Sequence, residues 1–230
     1  MTLSTRLAVP ALLGALILTL PATARAEQKE TERVDRTAQI GAGGQLRLKN
    51  FSGHVTITGT SRGDVSIHAV RRATRDRLDH IKLDIQENGG TVVVDANRKD
   101  DDWHDRNDNV VETDFDIEVP ADIGVDVDVF SSDVAVKGVR GPQRVKTFSG
   151  RIDLSGGEKD IHAETFSGDI GVTLAQGMSG SVDFDSFSGS LQSDVPMTYR
   201  STSRRRTRAS IGTGGNDYYF KTFSGDVRIR

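Results

Sequence analysis

The chain has 230 residues, 30 of them basic and 33 acidic, for a net charge of −3, and it has no cysteine. That balance gives no global field favouring nucleic acid, and without Cys there is neither a disulfide framework nor a lipoprotein-type acylation site. Gly is frequent at 24, Pro scarce at 5, and aromatics make up 6%, a composition of many short strands joined by tight turns.

In chain order, Arg6 precedes an apolar run over 7–20, and Ala24-Arg25-Ala26 has the small-x-small pattern cut by signal peptidase. The run is short for a bilayer span. Residues 1–26 therefore read as a cleaved signal peptide, and the protein as exported to the periplasm or the cell surface; an uncleaved anchor is the alternative. No second long apolar segment follows, so the mature chain is expected to lack a transmembrane segment. Residues 27–39 form an N-terminal extension.

Residues 40–120 read as an irregular β region of the same domain. Leu46 and Leu48, then Phe51, Gly53, Val55 and Ile57, alternate with polar residues, as do Val65, Ile67 and Ala69. Asn88-Gly89-Gly90 between the segments 81–85 and 92–94 predicts a β-hairpin. Residues 99–109 form a charged loop holding Trp103, the single Trp. Phe115, Ile117 and Val119 predict a strand ended by Pro120.

Residues 121–230 repeat. TFSGRI at 147–152, TFSGDI at 165–170, SFSGSL at 186–191 and TFSGDV at 222–227 are near-copies, with NFSGHV at 50–55 and VFSSDV at 129–134 as relatives. Phe130, Phe148 and Phe166 are 18 residues apart; Phe187 follows after 21 and Phe223 after 36, twice 18. The long interval reads as a copy that lost its motif between 199 and 212. Ile152 and Leu154 alternate with polar residues in one phase, Val145 and Thr147 in the other, which gives two strands with one buried face each and a bend between them. The phase change is expected between Thr and Phe, with Phe and Gly pointing inward as the peg of each coil. A two-strand unit of about 18 residues cannot bury its own apolar face but can when stacked. The expected fold is all-β: a parallel β-solenoid, or β-helix-like, stack of such coils over 121–230. An antiparallel sandwich is the alternative.

The Asp after FSG raises a calcium ladder as a possibility. Asp133, Arg151 and Asp169 alternate in sign, which instead predicts stabilising charge pairs across adjacent strands. The stretch 100–109 is rich in oxygen ligands but lacks the Gly of a calcium loop and carries Arg106; it reads as a solvated loop in which Trp103 is a possible contact. Arg200, Arg204, Arg205, Arg206 and Arg208 place five guanidiniums in nine residues, a set suited to phosphate or carboxylate groups. Metal and cofactor motifs are absent from the sequence, and so are nucleophile and zinc signatures.

The FSG copies, SDVP at 193–196 before the Arg-rich stretch, IGTGG at 211–215 and the closing KTFSGDVRIR resemble the bacterial "putative adhesin" family of exported repeat-β domains, similar to autotransporter-adhesin-like heads. The family commonly has Asn-Gly-Asp where this chain has Phe-Ser-Gly. The resemblance implies a β-helical envelope protein and brings no catalytic residues. The resulting expectation is a non-enzymatic exported envelope protein, an adhesin or interaction scaffold. Its expected partners are anionic envelope glycans, anionic lipids or another envelope protein, with no nucleic acid and no cofactor, and it is expected to be a monomer. A carbohydrate-active β-helix enzyme and a periplasmic accessory of envelope-stress signalling are the alternatives.

Overall fold

The computed structural model describes residues 29–100 and 109–230. The segment 1–26 and Trp103 lie outside the described residues. The chain runs through β1 (Glu30–Gln39), β2 (Gln45–Thr60), β3 (Asp64–Ala73), a short helix α1 (Arg75–His80), β4 (Ile81–Asn88), β5 (Thr91–Lys99), β6 (Glu112–Pro120) and β7 (Gly124–Lys137). Then come β8 (Gln143–Ser149), β9 (Ile152–Gly157), β10 (Ile161–Ser167), β11 (Ile170–Leu174), β12 (Gly180–Ser188) and β13 (Leu191–Ser193). The last are β14 (Met197–Thr202), β15 (Arg206–Ile211), β16 (Asn216–Ser224) and β17 (Val227–Ile229).

All seventeen strands belong to one sheet, mostly parallel, bent into two walls. Long strands β2 and β7 run through both walls. Beside them, the pairs β8/β9, β10/β11, β16/β17 and β12/β13 each give one strand to each wall, so each pair is a rung. Val125, Gln143 and Ile161 face one another in one wall, and Ile152 and Ile170 in the other, each step being 18 residues. The alternating apolar residues of both walls, such as Val145, Ile152, Leu154, Ile161 and Ile170, are fully buried between them. The period-2 pattern therefore reports the inner faces correctly. The predicted hairpin is present as antiparallel β4–β5, with Gly89 and Gly90 at φ 55° and 88°, the left-handed pair that a tight two-residue turn needs.

Rung order departs from sequence order. β10 pairs not with β12 but with β16, and β16 then pairs with β12, so the C-terminal rung sits inside the stack. The missing copy between 199 and 212 is no coil. Residues 197–211 form the antiparallel hairpin β14–β15, laid against the outer edge of β12. That edge is thereby closed to parallel stacking, and the last 18-residue unit fills the place between β10 and β12 with fully buried Tyr218 and Phe220. At the other end β3 pairs antiparallel with β6, and β1 with β3. Helix α1 had no signal in the β pattern. It is held by Leu78, buried with Ala73, Ile81 and Val111 in a small separate cluster.

The corner is where the structure corrects the sequence most. Phe148 and Phe166 do not point inward; they are 47% and 45% exposed. The strand phase is unbroken through the Phe: Val145 in, Lys146 out, Thr147 in, Phe148 out. It changes at Ser149-Gly150-Arg151, and Ile152 is the next inward residue. Thr, not Phe, is the inner corner residue. The Thr147 hydroxyl donates to the Ser132 carbonyl at 3.2 Å, and that of Thr165 to the Gly150 carbonyl at 3.3 Å. Nor is Gly a core residue. Gly168 has φ 145°, and a β-carbon there would lie 2.1 Å from the Gly150 carbonyl oxygen of the adjacent rung. The Asp after the corner accepts a backbone N–H from the next rung: Asp133, after Ser132, from Arg151 at 2.7 Å, Asp169 from Asp226 at 2.9 Å and Asp226 from Ser190 at 2.7 Å.

These roles rank the cost of substitutions by urea unfolding. Ile170→Ala, which empties core volume, loses about 2–5 kcal/mol. Phe166→Ala, at a half-exposed site, loses about 1–2 kcal/mol. Gly168→Ala loses at least roughly 1–3 kcal/mol from backbone strain alone. A Phe166→Ala loss equal to that of Ile170→Ala would return the ring to the core.

Candidate functional site: an aromatic ribbon beside a charge ladder

The fixed corner forces the motif phenylalanines into register on the outside. Phe51, Phe130, Phe148, Phe166, Phe223 and Phe187 form one continuous stack in that order, with ring centroids 4.6–4.8 Å apart and planes within 16° of parallel. The order follows the rungs and not the sequence. Five intervals make a ribbon about 24 Å long, at the spacing of adjacent strands. Each ring is 39–55% exposed. Because neighbouring rings cover one another's faces, solvent meets their edges. At the Phe187 end the last ring face is covered by the Arg205 guanidinium, 4.8 Å from the ring centroid, a cation–π contact.

Two residues before each Phe stands an outward charged residue. Across the rungs these six, extended at the ends by Asp95 and Arg206, read Asp95, Lys49, Asp128, Lys146, Glu164, Lys221, Asp185, Arg206, with signs alternating at every step. Like charges on adjacent strands repel and opposite charges stabilise. Lys146 is 3.2 Å from Glu164, and Arg206 is 3.7 Å from Asp185. Glu164 also contacts His162. Burial pushes the Glu164 carboxyl up, but the hydrogen bonds from His162 and Lys146 outweigh it and hold the carboxyl below its ordinary value. Between the ribbon and the charge ladder lies a groove of about 850 Å³ with Val129, Thr147, Thr165 and Thr222 in its floor.

The five predicted arginines do not act as one cluster. Arg206, on β15, makes a two-pronged contact with Asp183 at 2.8 and 2.6 Å, and Arg208 lies 3.4 Å from the same carboxylate. Both are bound into the wall. Arg205 sits at the end of the ribbon, in the turn between β14 and β15, with Arg204 beside it. Arg200, on β14, borders a small separate depression with Arg208 and Asp217. Among the described residues, Arg200, Arg204 and Arg205 have no ion-pair partner. Sequence reasoning missed the ribbon as a surface. Its signal was present, since each Phe stands two residues after an outward charge and so shares its face.

Among the described residues, no group of His, Asp and Glu is arranged to hold a metal ion. No helix there is long and apolar enough to cross a membrane.

The Toastrack DUF4097 family profile matches residues 113–230. The chain belongs to the Toastrack DUF4097 family. This agrees with the sequence resemblance, and the matched region holds five of the six ribbon phenylalanines. Among solved structures, one described as a putative cell adhesion protein from Clostridium sporogenes has a TM-score of 0.64 at 10% identity, covering 87% of this chain and 99% of its own. That likeness shows a shared fold. Two others are looser and carry no argument. A putative adhesin from Bacteroides fragilis has a TM-score of 0.30 at 12% identity, covering 86% of this chain and 97% of its own. A putative lipid binding protein from Parabacteroides distasonis has 0.24 at 10% identity, covering 86% and 96%. No curated protein matches the Toastrack chain.

Hydrogen bonds from Arg206 hold the Asp183 carboxyl below its ordinary value, against a smaller effect of burial. A depressed carboxyl contributes stability above its unfolded value, about 4, and loses it as pH falls through the folded value. Asp183→Asn should therefore lower stability at neutral pH by no more than about 1 kcal/mol, the pair being partly solvated. The gap to the wild type should close as pH falls through the carboxyl's lowered folded value, in urea midpoints measured across pH. A gap that is constant with pH would show that the carboxylate charge is not what matters.

Proposed function

We propose that this Toastrack protein is an exported, non-catalytic interaction module of the cell envelope, built as a β-solenoid, and that the phenylalanine ribbon is its contact surface. The observation that carries this reading is the ribbon itself. Six rings from rungs scattered over 51–223 line up half-exposed on one edge, whereas exposed apolar side chains on a soluble surface are ordinarily scattered. A contiguous apolar strip with polar neighbours is the mark of a contact site. Export is supported by the apolar run 7–20 and the Ala24-Arg25-Ala26 site. The adhesion name of the fold relative from Clostridium sporogenes points the same way.

A glycosidase-type general acid needs a carboxyl whose proton is retained near neutrality. Among the described residues, the carboxyls with a resolved shift, Asp114, Glu164 and Asp183, are all held below their ordinary values.

Two measurements test the proposal. In cells expressing the full chain, the processed protein should begin at Glu27 and partition outside the cytoplasm; an unprocessed cytoplasmic protein overturns export. Purified protein should be retained on isolated cell envelopes. The double variant Phe148→Ser/Phe166→Ser should be retained about tenfold less, the loss expected from removing two central apolar contacts. Retention equal to that of the wild type moves the contact surface elsewhere.

A further inference from the structure

We infer that the groove beside the ribbon is a binding site for a single-chain anionic amphiphile, its hydrocarbon tail along the phenylalanine edges and its head group at Arg204 and Arg205. This rests on the reading of the ribbon as a contact surface and names what it contacts.

Ring geometry narrows the ligand first. Sugar rings and aromatic ligands bind aromatic side chains through the ring faces, but here both faces of the four inner rings, Phe130, Phe148, Phe166 and Phe223, are taken up by neighbouring rings at 4.6–4.8 Å. What remains is a comb of C–H edges, an apolar surface with no directional demand. The spacing narrows it further. An extended peptide repeats its side chains on one face about every 6.8 Å, twice the rise of a strand, and drifts out of step with rungs about 4.8 Å apart. A hydrocarbon chain has no repeat to match and contacts every rung equally well. The groove, at about 850 Å³, is an open trough long enough for such a chain to lie along the phenylalanine edges.

Charge then places the head group. Along the groove the outward charges alternate and cancel rung by rung, so the body of the ligand should be uncharged. The cancellation fails at the Phe187 end. There Arg206 closes the ladder against Asp185 and Asp183, while Arg205 lies over the ring and Arg204 precedes it in the same turn. Neither Arg204 nor Arg205 has an ion-pair partner among the described residues. Arg205 is held in place by its backbone, since its carbonyl accepts the Ser186 N–H of β12 at 2.8 Å. A guanidinium at the end of an open groove with one aromatic wall is suited to a carboxylate or phosphate carried on an alkyl tail.

The test uses the mature chain and laurate below its micellar concentration, followed by calorimetry. Laurate should bind, while acetate, which has the head group without the tail, should not. Dodecyltrimethylammonium, with the same tail and opposite charge, should bind about tenfold more weakly, as should laurate to Arg204→Glu/Arg205→Glu. Phe148→Ser/Phe166→Ser should abolish binding, and Leu at both positions should restore it, with thermal melts confirming that each variant is folded. Equal affinity for the cationic and anionic amphiphiles overturns the head-group assignment. Absence of laurate binding overturns the whole inference. If envelope retention still depends on Phe148 and Phe166 in that case, the contact-surface reading survives without it. A concentration-dependent dimer in light scattering that is abolished by the same Phe variants would assign the ribbon to a second copy of the chain and likewise overturn the inference.

Discussion

At five of the six corners, those of Gly53, Gly150, Gly168, Gly189 and Gly225, the chain passes so close to its neighbour that a single methyl group would not fit; Ser132 stands at the sixth. A β-carbon on Gly150 would stand 2.1 Å from the Ser132 carbonyl oxygen, and one on Gly225 1.9 Å from that of Gly168. The approach lets the backbone turn from one wall to the other while neighbouring rungs stay in step. Register cannot slip by one residue here, because the slip would put a side chain where only glycine fits and reverse the inward and outward faces of both walls. The Thr hydroxyl inside the corner and the Asp carboxylate outside it satisfy the carbonyl and N–H groups that the turn removes from the ladder, as buried backbone groups require. TFSGD is thus one device: an inner cap, an outer ring, a turn of two small residues and an outer cap.

Once the register is fixed, the outer surface follows. Like positions on successive rungs must lie about 4.8 Å apart, so a repeated outward residue becomes a ladder whatever its chemistry. A ladder of one charge would repel itself at that distance, and the charged column alternates from Asp95 to Arg206. An aromatic column has no such penalty, since flat rings can stack face to face, and the column from Phe51 to Phe187 is uniform. The two columns are opposite solutions to the same spacing.

Most of the inner face was legible in the sequence, because burial follows period-2 alternation and Val145, Ile152 and Ile170 lie where that pattern puts them. The period of 18 gave rung length. It could not give rung order, which depends on which strand edges remain open after β15 closes one side of β12. Nor could parity alone place Phe148. Two phases meet at the corner, and the sequence does not say which residue belongs to which until the turn at Gly150 is seen. The arginines illustrate a further limit. Spacing alone groups Arg204, Arg205, Arg206 and Arg208, but Asp183 and Asp185, some twenty residues earlier in the chain, withdraw two of them. That partition exists only in the folded sheet.

The interior of an alternating ladder is a poor place to recognise a charged ligand, since every cation there already faces an anion on the next rung. Recognition of charge is left to the ends, where the alternation stops and an unmatched side chain has no neighbour to neutralise it. Apolar contact works the other way. It is strongest in the middle of the ribbon, where Phe148 and Phe166 are flanked on both sides, and weakest at the ends. A stack of this kind therefore separates the two kinds of contact along its own axis, apolar in the centre and ionic at the terminus. In this chain the end beside Phe187 carries Arg205, whose guanidinium lies over the last ring.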